Sequence, residues 1–476
     1  MLPLTLAEIA DVVQGKLDGD ADPRSRVTGP VVIDSREVAP GGLFAAFQGE
    51  RVDGHRFARS AVESGAVAVL ATRPVEAPAV LVPDVERALG ALARHVVRKL
   101  GTHVVALTGS SGKTSTKDLI AQLLERWAPT VWTPGSLNNE IGLPLTALRA
   151  DADTRHLVLE MGARGVGHIR YLAELTPPRI GLVLNVGTAH VGEFGGQDRI
   201  AQAKGELVEA LPPAEEGGVA VLNADDPLVR AMESRTRARV LLFGESPQAD
   251  VRAENVRLTE QGQPAFTLRT PAGCGDVTMR LYGEHHVSNA LAAAAVAHEL
   301  GMPTEAVATA LSEAGTLSRW RMEVTERADG VTVINDAYNA NPDSVRAALR
   351  ALVAIGGQHS DRGDGRGRRT WAVLGEMAEL GEEALAEHDA VGRLAVRLNV
   401  SKLVAVGGQE AAWLDMGAKN EGSWGEESVH VSDTETAIEL LRAQVRPGDV
   451  VLVKASRSVG LERVALELLE GEGQPR

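Results

Sequence analysis

Short apolar runs alternate with helix-like stretches along most of the chain. The strand-like runs are VVAL (104–107), LVLEM (157–161), IGLVLNV (180–186), VAVLN (219–223), VTVIN (331–335), WAVLG (371–375), KLVAVGG (402–408) and DVVLVKAS (449–456). Strands that alternate with helices predict parallel sheets covered by helices on both faces. In such sheets, ligands gather at the carboxyl ends of the strands.

This pattern predicts an α/β protein of three domains. Residues 1–100 start with a helix-like segment at 6–13 and form a small α/β domain. Residues 101–317 form a central domain with a parallel sheet, a more β-like stretch at about 239–281 and an alanine-rich helix. Residues 318–476 form a doubly wound α/β domain, in which the Gly/Arg-rich stretch 356–369 is predicted to be a flexible surface loop.

Composition and charge narrow the classes of function. The net charge of -15 argues against nucleic-acid binding, and the apolar runs are far shorter than the roughly 18 residues that span a bilayer. The N-terminus, MLPLTLAEIADVVQGK, lacks the basic start of a secretory signal. Cys274 is the only cysteine, so an intrachain disulfide is excluded. We therefore expect a cytoplasmic protein without stable membrane insertion.

A glycine-rich loop follows the strand VVAL and precedes a helical stretch that reaches Trp127. Its residues are Gly109, Ser110, Ser111, Gly112, Lys113, Thr114 and Ser115. Such a loop wraps phosphate with its N–H groups, while Lys113 would hold the β- and γ-phosphates and Thr114 would bind Mg²⁺. Leu107 occupies the position of the first glycine in the usual pattern, which makes this a shortened variant. The alternative is a Gly/Ser turn that caps an ordinary helix.

Further polar residues stand at predicted strand ends or in a Gly/Pro-bounded loop. Glu160 ends the run LVLEM, where a Mg²⁺ ligand for a nucleotide belongs, although a salt-bridged structural glutamate is the alternative. His190 follows the run IGLVLNV, and Asn138 and Asn139 lie in TPGSLNNEIGLP. Taken singly, the histidine is a hydrogen-bonded loop residue and the asparagines are turn formers. They gain meaning only if they converge on one sheet edge.

At this point the sequence resembles the Mur ligase family of peptidoglycan synthesis over nearly its whole length. The motifs that carry the resemblance are DSREVAPGGLFAAFQGERVDGH, TGSSGKTSTK, TPGSLNNEIGLP, EMGARGVGHI, NVGTAHVGEFG, AKGEL, WRMEV, INDAYNANPDS, LGEMAELGEEALAEHDAVG and VLVKASRSVGLE. The Leu107 departure from the general phosphate-loop pattern is normal for this family.

The resemblance implies the catalytic residues Lys113, Lys204 and His190. Thr114 and Glu160 resemble ligands of a Mg²⁺ between the β- and γ-phosphates, and His190 resembles a ligand of a second Mg²⁺. Lys204, in AKGEL, matches a lysine that family members carbamylate with CO₂ to make a further acidic ligand. Without the resemblance, Lys204 would be interpreted as a solvated helix lysine.

The resemblance also implies contacts to the nucleotide from outside the loop. Asn289, in HHVSNALAA, matches an adenine contact. Arg321 and Asp336 match residues that hold the nucleotide from the C-terminal domain. Their alternatives are a surface arginine and a turn-forming aspartate.

Two segments resemble substrate contacts. Ser35 and Arg36 match a segment at the UDP end of the substrate, although a plain turn is the alternative. Tyr338, Asn339 and Asn341 lie in the segment that favours D-alanyl-D-alanine as the incoming amine. The motif VLVKASRSVGLE ends a predicted strand, and no individual roles are predicted for its residues.

The expected activity is therefore ATP-dependent ligation of D-alanyl-D-alanine to UDP-N-acetylmuramoyl-tripeptide through an acyl phosphate. The expected protein is a monomer that acts on small molecules, and domain closure excludes water. A sister amino-acid ligase or a folylpolyglutamate synthetase would share this chemistry. A phosphate-loop switch without ligation would explain Lys113 and Thr114 but not the other convergent residues.

Overall fold

A computed structural model describes residues 1–49, 52–187, 194–357, 368–423 and 425–470. Three large sheets follow one another along the chain, which confirms the predicted three-part α/β fold. Each lies inside one of the predicted domain ranges, while the boundaries at 100/101 and 317/318 stay a prediction.

The N-terminal unit contains a five-stranded sheet with order β2-β7-β6-β5-β4 and a small two-stranded sheet of β1 and β3. Its strands are β1 (Leu4–Thr5), β2 (Lys16–Asp18), β3 (Arg26–Val27), β4 (Val31–Val32), β5 (Gly42–Ala45), β6 (Ala66–Ala71) and β7 (Ala79–Leu81). Its helices are α1 (Leu6–Val12), α2 (Ala58–Glu63) and α3 (Val85–Leu100), with 3₁₀ turns at Ser35–Glu37 and Gly54–Phe57.

The central unit is a nine-stranded sheet with order β16-β15-β14-β13-β12-β11-β8-β10-β9. Its strands are β8 (His103–Thr108), β9 (Thr130–Trp132), β10 (His156–Glu160), β11 (Ile180–Val183), β12 (Val219–Asn223), β13 (Arg239–Gly244), β14 (Val251–Leu258), β15 (Pro264–Thr270) and β16 (Gly273–Thr278). Its helices are α4 (Lys113–Glu125), α5 (Gly142–Ala147), α6 (His168–Leu175), α7 (Gln197–Glu209), α8 (Pro227–Arg230), α9 (His285–Glu299) and α10 (Thr304–Glu313), with 3₁₀ turns at Ala214–Glu216 and Ala231–Arg235.

The C-terminal unit is a six-stranded sheet with order β17-β18-β22-β19-β20-β21, parallel except for β17. Its strands are β17 (Glu323–Glu326), β18 (Thr332–Asn335), β19 (Thr370–Leu374), β20 (Lys402–Val406), β21 (Ser428–Val431) and β22 (Val450–Lys454). Its helices are α11 (Pro342–Gly357), α12 (Ala384–Arg397), α13 (Gln409–Glu421), α14 (Thr434–Gln444) and α15 (Glu462–Glu470), with 3₁₀ turns at Gly381–Glu383 and Arg457–Val459.

The central sheet places β8 between β10 and β11, all three parallel. The loop after β8 therefore shares one sheet edge with the ends of its two neighbours. Alanine-rich α9 packs against α4 in a common core, where small side chains allow two helices to lie close together. This packing holds the start of α4 in a fixed place beneath the glycine loop.

The predicted strands agree closely with those observed, with one informative difference. The run at 180–186 pairs as a strand only through Val183, because Asn185 leaves the ladder and bonds to the glycine loop. The predicted loop at 356–369 falls mainly outside the described residues, and its first two residues end α11.

In the part of the chain that the structure describes, no helix is both long and apolar enough to cross a membrane.

Candidate active site

The glycine loop connects β8 to α4 at the middle of the central sheet. Gly112 adopts φ 77° at the start of α4, a left-handed conformation that favours glycine. The first N–H groups of a helix have no intrahelical acceptors, and they carry a positive partial charge. The loop therefore has the shape and polarity of an anion site. Lys113 donates from Nζ to the Gly109 carbonyl at 2.7 Å, so its side chain folds back over the loop.

Asn185 fixes the shape of this loop from the end of β11. Its Oδ1 accepts hydrogen bonds from the N–H groups of Ser110 and Ser111, both at 2.9 Å. Its Nδ2 donates to the Ser111 carbonyl at 3.2 Å. One side chain thus accepts the N–H groups in the first half of the loop, at Ser110 and Ser111. The N–H groups in the half nearest α4 are left to bind a ligand.

A group of oxygen atoms lies beside the loop at the end of β10. Thr114 Oγ1 donates to Glu160 Oε2 at 3.0 Å and lies 3.1 Å from Ser136 Oγ. Asn138 Nδ2 donates to Glu160 Oε1 at 2.7 Å, which orients the carboxylate. Hydroxyl and carboxylate oxygens are the ligands that Mg²⁺ prefers, so this group fits the metal that a nucleotide triphosphate requires. Within the described residues, no three His, Cys, Asp or Glu side chains gather in a metal-binding arrangement.

Two lysines face this region, namely partly exposed Lys113 and buried Lys204. Burial lowers the pKa of Lys113, and Arg321 lowers it further, while Glu160 opposes the shift. Lys204, on α7, is 5% exposed, and its burial lowers its pKa well below the ordinary value, with Lys113 adding to the effect. Among the described residues, no acidic side chain forms an ion pair with Lys204. Its amine is therefore biased toward the neutral, nucleophilic form.

Asn289 lies against the other face of the glycine loop. Its Oδ1 accepts from Thr116 Oγ1 at 3.2 Å, and a Cβ added at Gly112 would lie only 2.6 Å from the same oxygen. Gly112 is therefore required by close packing as well as by its φ angle. In this structure Asn289 supports the loop from below.

The C-terminal unit contributes a cationic group to the same place. Arg321 Nη2 donates to Thr114 Oγ1 and to Ser136 Oγ, each at 3.3 Å. The Arg321 guanidinium also stacks 4.2 Å from the centre of the Tyr338 ring. Trp320 and Met322, on either side of Arg321, have φ values of 59° and 48°, which are strained for such side chains. Arg321 lies in the linker between α10 and β17, residues 314–322, where its two neighbours are strained and its side chain reaches the glycine loop.

A cleft of about 460 Å³ lies between the central and C-terminal units. It is lined by most of the predicted site residues, namely Ser110, Ser111, Gly112, Lys113, Thr114, Ser115, Asn138, Asn139, Glu160, Lys204, Arg321, Tyr338, Asn339 and Asn341. Ser136 and Arg457 also line it, although neither was among the predicted contacts. The convergence expected from the strand ends is therefore present.

The other predicted residues that the structure describes do not line the cleft. Asn289 and Asp336 are buried behind it, at 7% exposure each. Ser35 and Arg36 lie in a 3₁₀ turn of the N-terminal unit, where Arg36 pairs with Asp34 at 2.5 Å. His190 lies outside the described residues, as part of 188–193.

Several residues that shape the site carried no clear sequence signal. Lys117 reads as a solvated helix lysine, four positions after Lys113, yet it is 1% exposed. It pairs with Asp118 and donates to the carbonyls of Thr133 and Gly135, which fixes the loop that carries Ser136 and Asn138. Asn185 stood in the quoted motif NVGTAHVGEFG, and no role was predicted for it. For both residues, the signal in the sequence was their place as polar residues inside the motifs TGSSGKTSTK and NVGTAHVGEFG.

A glycine loop on a parallel sheet, opposed by an arginine from a second α/β unit, defines a nucleotide-binding enzyme that works in an interdomain cleft. Three family models match the chain: "Mur ligase family, catalytic domain" over 30–97, "Mur ligase middle domain" over 107–297 and "Mur ligase, glutamate ligase domain" over 320–457. The chain belongs to the Mur ligase family.

Curated relatives are similar over the full chain. The UDP-N-acetylmuramoyl-tripeptide--D-alanyl-D-alanine ligase of Mycobacterium leprae is 50% identical, with 100% of both chains covered. The ligase of the same name from Escherichia coli is 36% identical, with 99% of both chains covered.

Solved structures agree with this result. A crystal structure of MurF from Acinetobacter baumannii has a TM-score of 0.85 at 32% identity, covering 98% of this chain and 99% of that one. MurF ligase from Thermotoga maritima in complex with ADP has a TM-score of 0.78 at 31% identity, covering 94% and 98%.

Proposed function

We propose that this protein ligates D-alanyl-D-alanine to UDP-N-acetylmuramoyl-tripeptide at the expense of ATP, releasing ADP and phosphate. The observation that carries the proposal is the 50% identity over the whole chain to a ligase of this name. The cleft supports the proposal, because the glycine loop on one side, which would bind ATP, faces polar groups of the C-terminal unit on the other. The product is a pentapeptide precursor of peptidoglycan, and it links this protein to cell shape and division.

The reaction requires that a poor electrophile be activated. The terminal carboxylate of the tripeptide attacks the γ-phosphorus, the bond from that phosphorus to the β,γ-bridging oxygen breaks, and an acyl phosphate forms with ADP as the leaving group. The dipeptide amine then attacks the acyl carbon, the bond from that carbon to the phosphate oxygen breaks, phosphate leaves with the pair of electrons, and the nitrogen loses a proton to solvent. Lys113 and the N–H groups at the start of α4 stabilise charge on the transferring group. Closure of the C-terminal unit brings Arg321 onto the nucleotide and excludes water.

Mg²⁺ is the proposed metal of this site. Thr114 Oγ1 and Glu160 would hold it, with Asn138 orienting the carboxylate, and His190 would contribute to a second ion. When bound, such ions neutralise the crowded phosphate oxygens. The oxygen-rich set around Glu160 fits a hard cation.

Lys204 is the proposed site of carbamylation. Its neutral amine attacks CO₂, a nitrogen–carbon bond forms, and the displaced proton goes to solvent. The product is an anionic carbamate, and it would add a negative charge beside Lys113 that Mg²⁺ attracts. The lowered pKa supports this chemistry because only the unprotonated amine reacts.

The two substrates approach from different units. Ser35 and Arg36 would contact the UDP end, and Tyr338, Asn339 and Asn341 would contact the dipeptide at the other side of the cleft. Asn289 would lie near the adenine. We further propose that the protein acts in the cytoplasm as a monomer.

The test is phosphate release from ATP and Mg²⁺ with the UDP-linked tripeptide, with and without D-alanyl-D-alanine. Release that requires both, together with the pentapeptide product, supports the proposal. Release that follows single amino acids or a folate would assign the chain to a sister activity. Release without any acceptor would indicate a nucleotide switch instead.

A further inference from the structure

Lys454 is a buried lysine at the end of β22 that has no assigned role. Its side chain is 2% exposed, and it is one of the eight lysines in the sequence. Nζ donates to Asp336 Oδ2 at 2.6 Å and to the Asn339 carbonyl at 2.9 Å. A buried ion pair is costly to form, so replacement by apolar residues is often neutral for stability. Stability alone therefore does not explain why this pair is present.

The partner of Lys454 leads directly to the linker between the units. Asp336 uses its second oxygen, Oδ1, to accept the N–H of Met322 at 3.0 Å. Met322 is the strained residue that follows Arg321. Each oxygen of Asp336 therefore accepts a hydrogen bond from this chain, one from the lysine and one from the linker.

The second contact of Lys454 is with the loop between β18 and α11, residues 336–341, which contains the proposed dipeptide contacts. The Asn339 carbonyl, which it holds, lies one residue after Tyr338, whose ring stacks on Arg321. Tyr338 N–H also donates to the Trp320 carbonyl at 3.2 Å. The linker and the loop are thus bonded to each other, and the lysine bonds to the loop directly and to the linker through Asp336.

We propose that Lys454 is a positioning residue for ligation, which acts through Asp336 and Asn339 to hold Arg321 and Tyr338 against the glycine loop. This inference gives Asp336 a role in holding the linker through Met322 N–H. It rests on the proposed function for the reaction measured, but the linkage to Arg321 can be tested independently through nucleotide binding.

The test compares four variants: K454M, R321A, the double variant K454M/R321A, and the charge-neutral double variant K454M/D336N. K454M should lower kcat on the order of 100-fold, because small displacements of positioning groups cost about that much. K454M/R321A should be no slower than the slower single variant, since both changes remove the same contact of Arg321. The matched control is K419M. Lys419 forms a 2.6 Å ion pair with Asp415 in the same unit, away from the cleft, and its removal should leave kcat unchanged.

K454M/D336N separates positioning from structural support. It leaves no lone buried charge, so its thermal midpoint should return to that of the wild type, while kcat stays low. Recovery of kcat together with the midpoint would overturn the proposal, as would multiplicative effects in K454M/R321A. If K454M alone fails to fold, the charge-neutral variant carries the test.

ADP binding by calorimetry provides the second readout. K454M and R321A should weaken ADP binding by equal factors, whatever acceptor the enzyme uses. Wild-type ADP affinity in K454M would contradict the linkage even if the ligation activity itself were assigned differently.

Discussion

The two sides of the cleft are built in different ways. On the central side, seven consecutive residues, 109–115, form the glycine loop immediately after β8. On the C-terminal side, a linker, a loop and a strand end are joined by contacts such as Lys454–Asp336, which spans 118 residues. Arg321 reaches Thr114 across 207 residues.

The groups on the central side are thus positioned by one short segment, whereas those on the C-terminal side depend on contacts between distant parts of the chain. The glycine loop keeps its shape through its own backbone and through Asn185, which belongs to the same unit. The C-terminal groups reach the loop only when two units are correctly placed. We therefore expect the loss of Lys113 on the central side to reduce phosphoryl transfer most, and changes on the C-terminal side to impair it in proportion to the loss of placement.

The largest effect is expected for Lys113→Met. The variant loses the cation that neutralises the transferring phosphoryl group, so kcat/KM should fall by about 10³-fold or more. Phosphate release in the presence of both substrates measures it. Lys99→Met is the control, because Lys99 pairs with Glu8 at 3.6 Å on the N-terminal unit. A loss below tenfold would show that the loop does not hold the reacting phosphates.

Arg321→Ala should reduce kcat by about 100-fold, which is less than the loss at Lys113, because this arginine completes a site that already exists. The same assay checks it, together with the KM for the UDP-linked tripeptide, which should not change. An effect equal to that of Lys113→Met would contradict the proposed division between the two sides.

Asn185→Ala should raise the KM for ATP by about tenfold and leave kcat nearly unchanged. The variant loses two backbone hydrogen bonds that shape the loop, each worth about 1 kcal/mol. Initial rates over a range of ATP concentrations measure the change. If kcat fell and KM stayed constant, Asn185 would act on the transition state and not on loop shape.

Lys204→Met tests the buried amine through stability. The folded-state pKa of Lys204 lies below its unfolded value, so the unfolded chain binds an extra proton between the two, and stability rises with pH there. In CO₂-free buffer at pH 7, the Met variant should therefore unfold at a temperature a few degrees higher than the wild type.

That advantage should shrink as the pH rises toward the ordinary lysine value of 10.5. Adding bicarbonate should stabilise the wild type but not the variant. A constant difference at all pH values would show that Lys204 is charged in the folded protein.

The fold could be predicted closely from the sequence because the apolar runs at the sheet centres are continuous and buried on both faces. The run at 219–223 matches β12 residue for residue. Strand β9 was not predicted, since it has only three residues and all are partly exposed. The strand predicted at 180–186 extends three residues beyond the observed one, because Asn185 forms hydrogen bonds with the glycine loop.

The site residues could be predicted where they lie next to each other in one motif. They could not be predicted where folding brings together residues that are far apart in the sequence. Lys113 and Thr114 follow from local spacing, and Glu160 from its place at a strand end. Lys117 carries the same local signal as an exposed helix lysine, and only the fold reveals that it is buried. For Lys454, the sequence shows a charge at the end of an apolar run but not the partner 118 residues away.

The most direct test of the account is the fate of the tripeptide carboxylate oxygen. UDP-N-acetylmuramoyl-tripeptide with ¹⁸O at both oxygens of its reacting carboxylate is ligated to D-alanyl-D-alanine, and the released phosphate is analysed by mass spectrometry. Ligation through an acyl phosphate predicts one ¹⁸O transferred to each phosphate. Phosphate without ¹⁸O would show that ATP cleavage in this cleft does not activate the carboxylate.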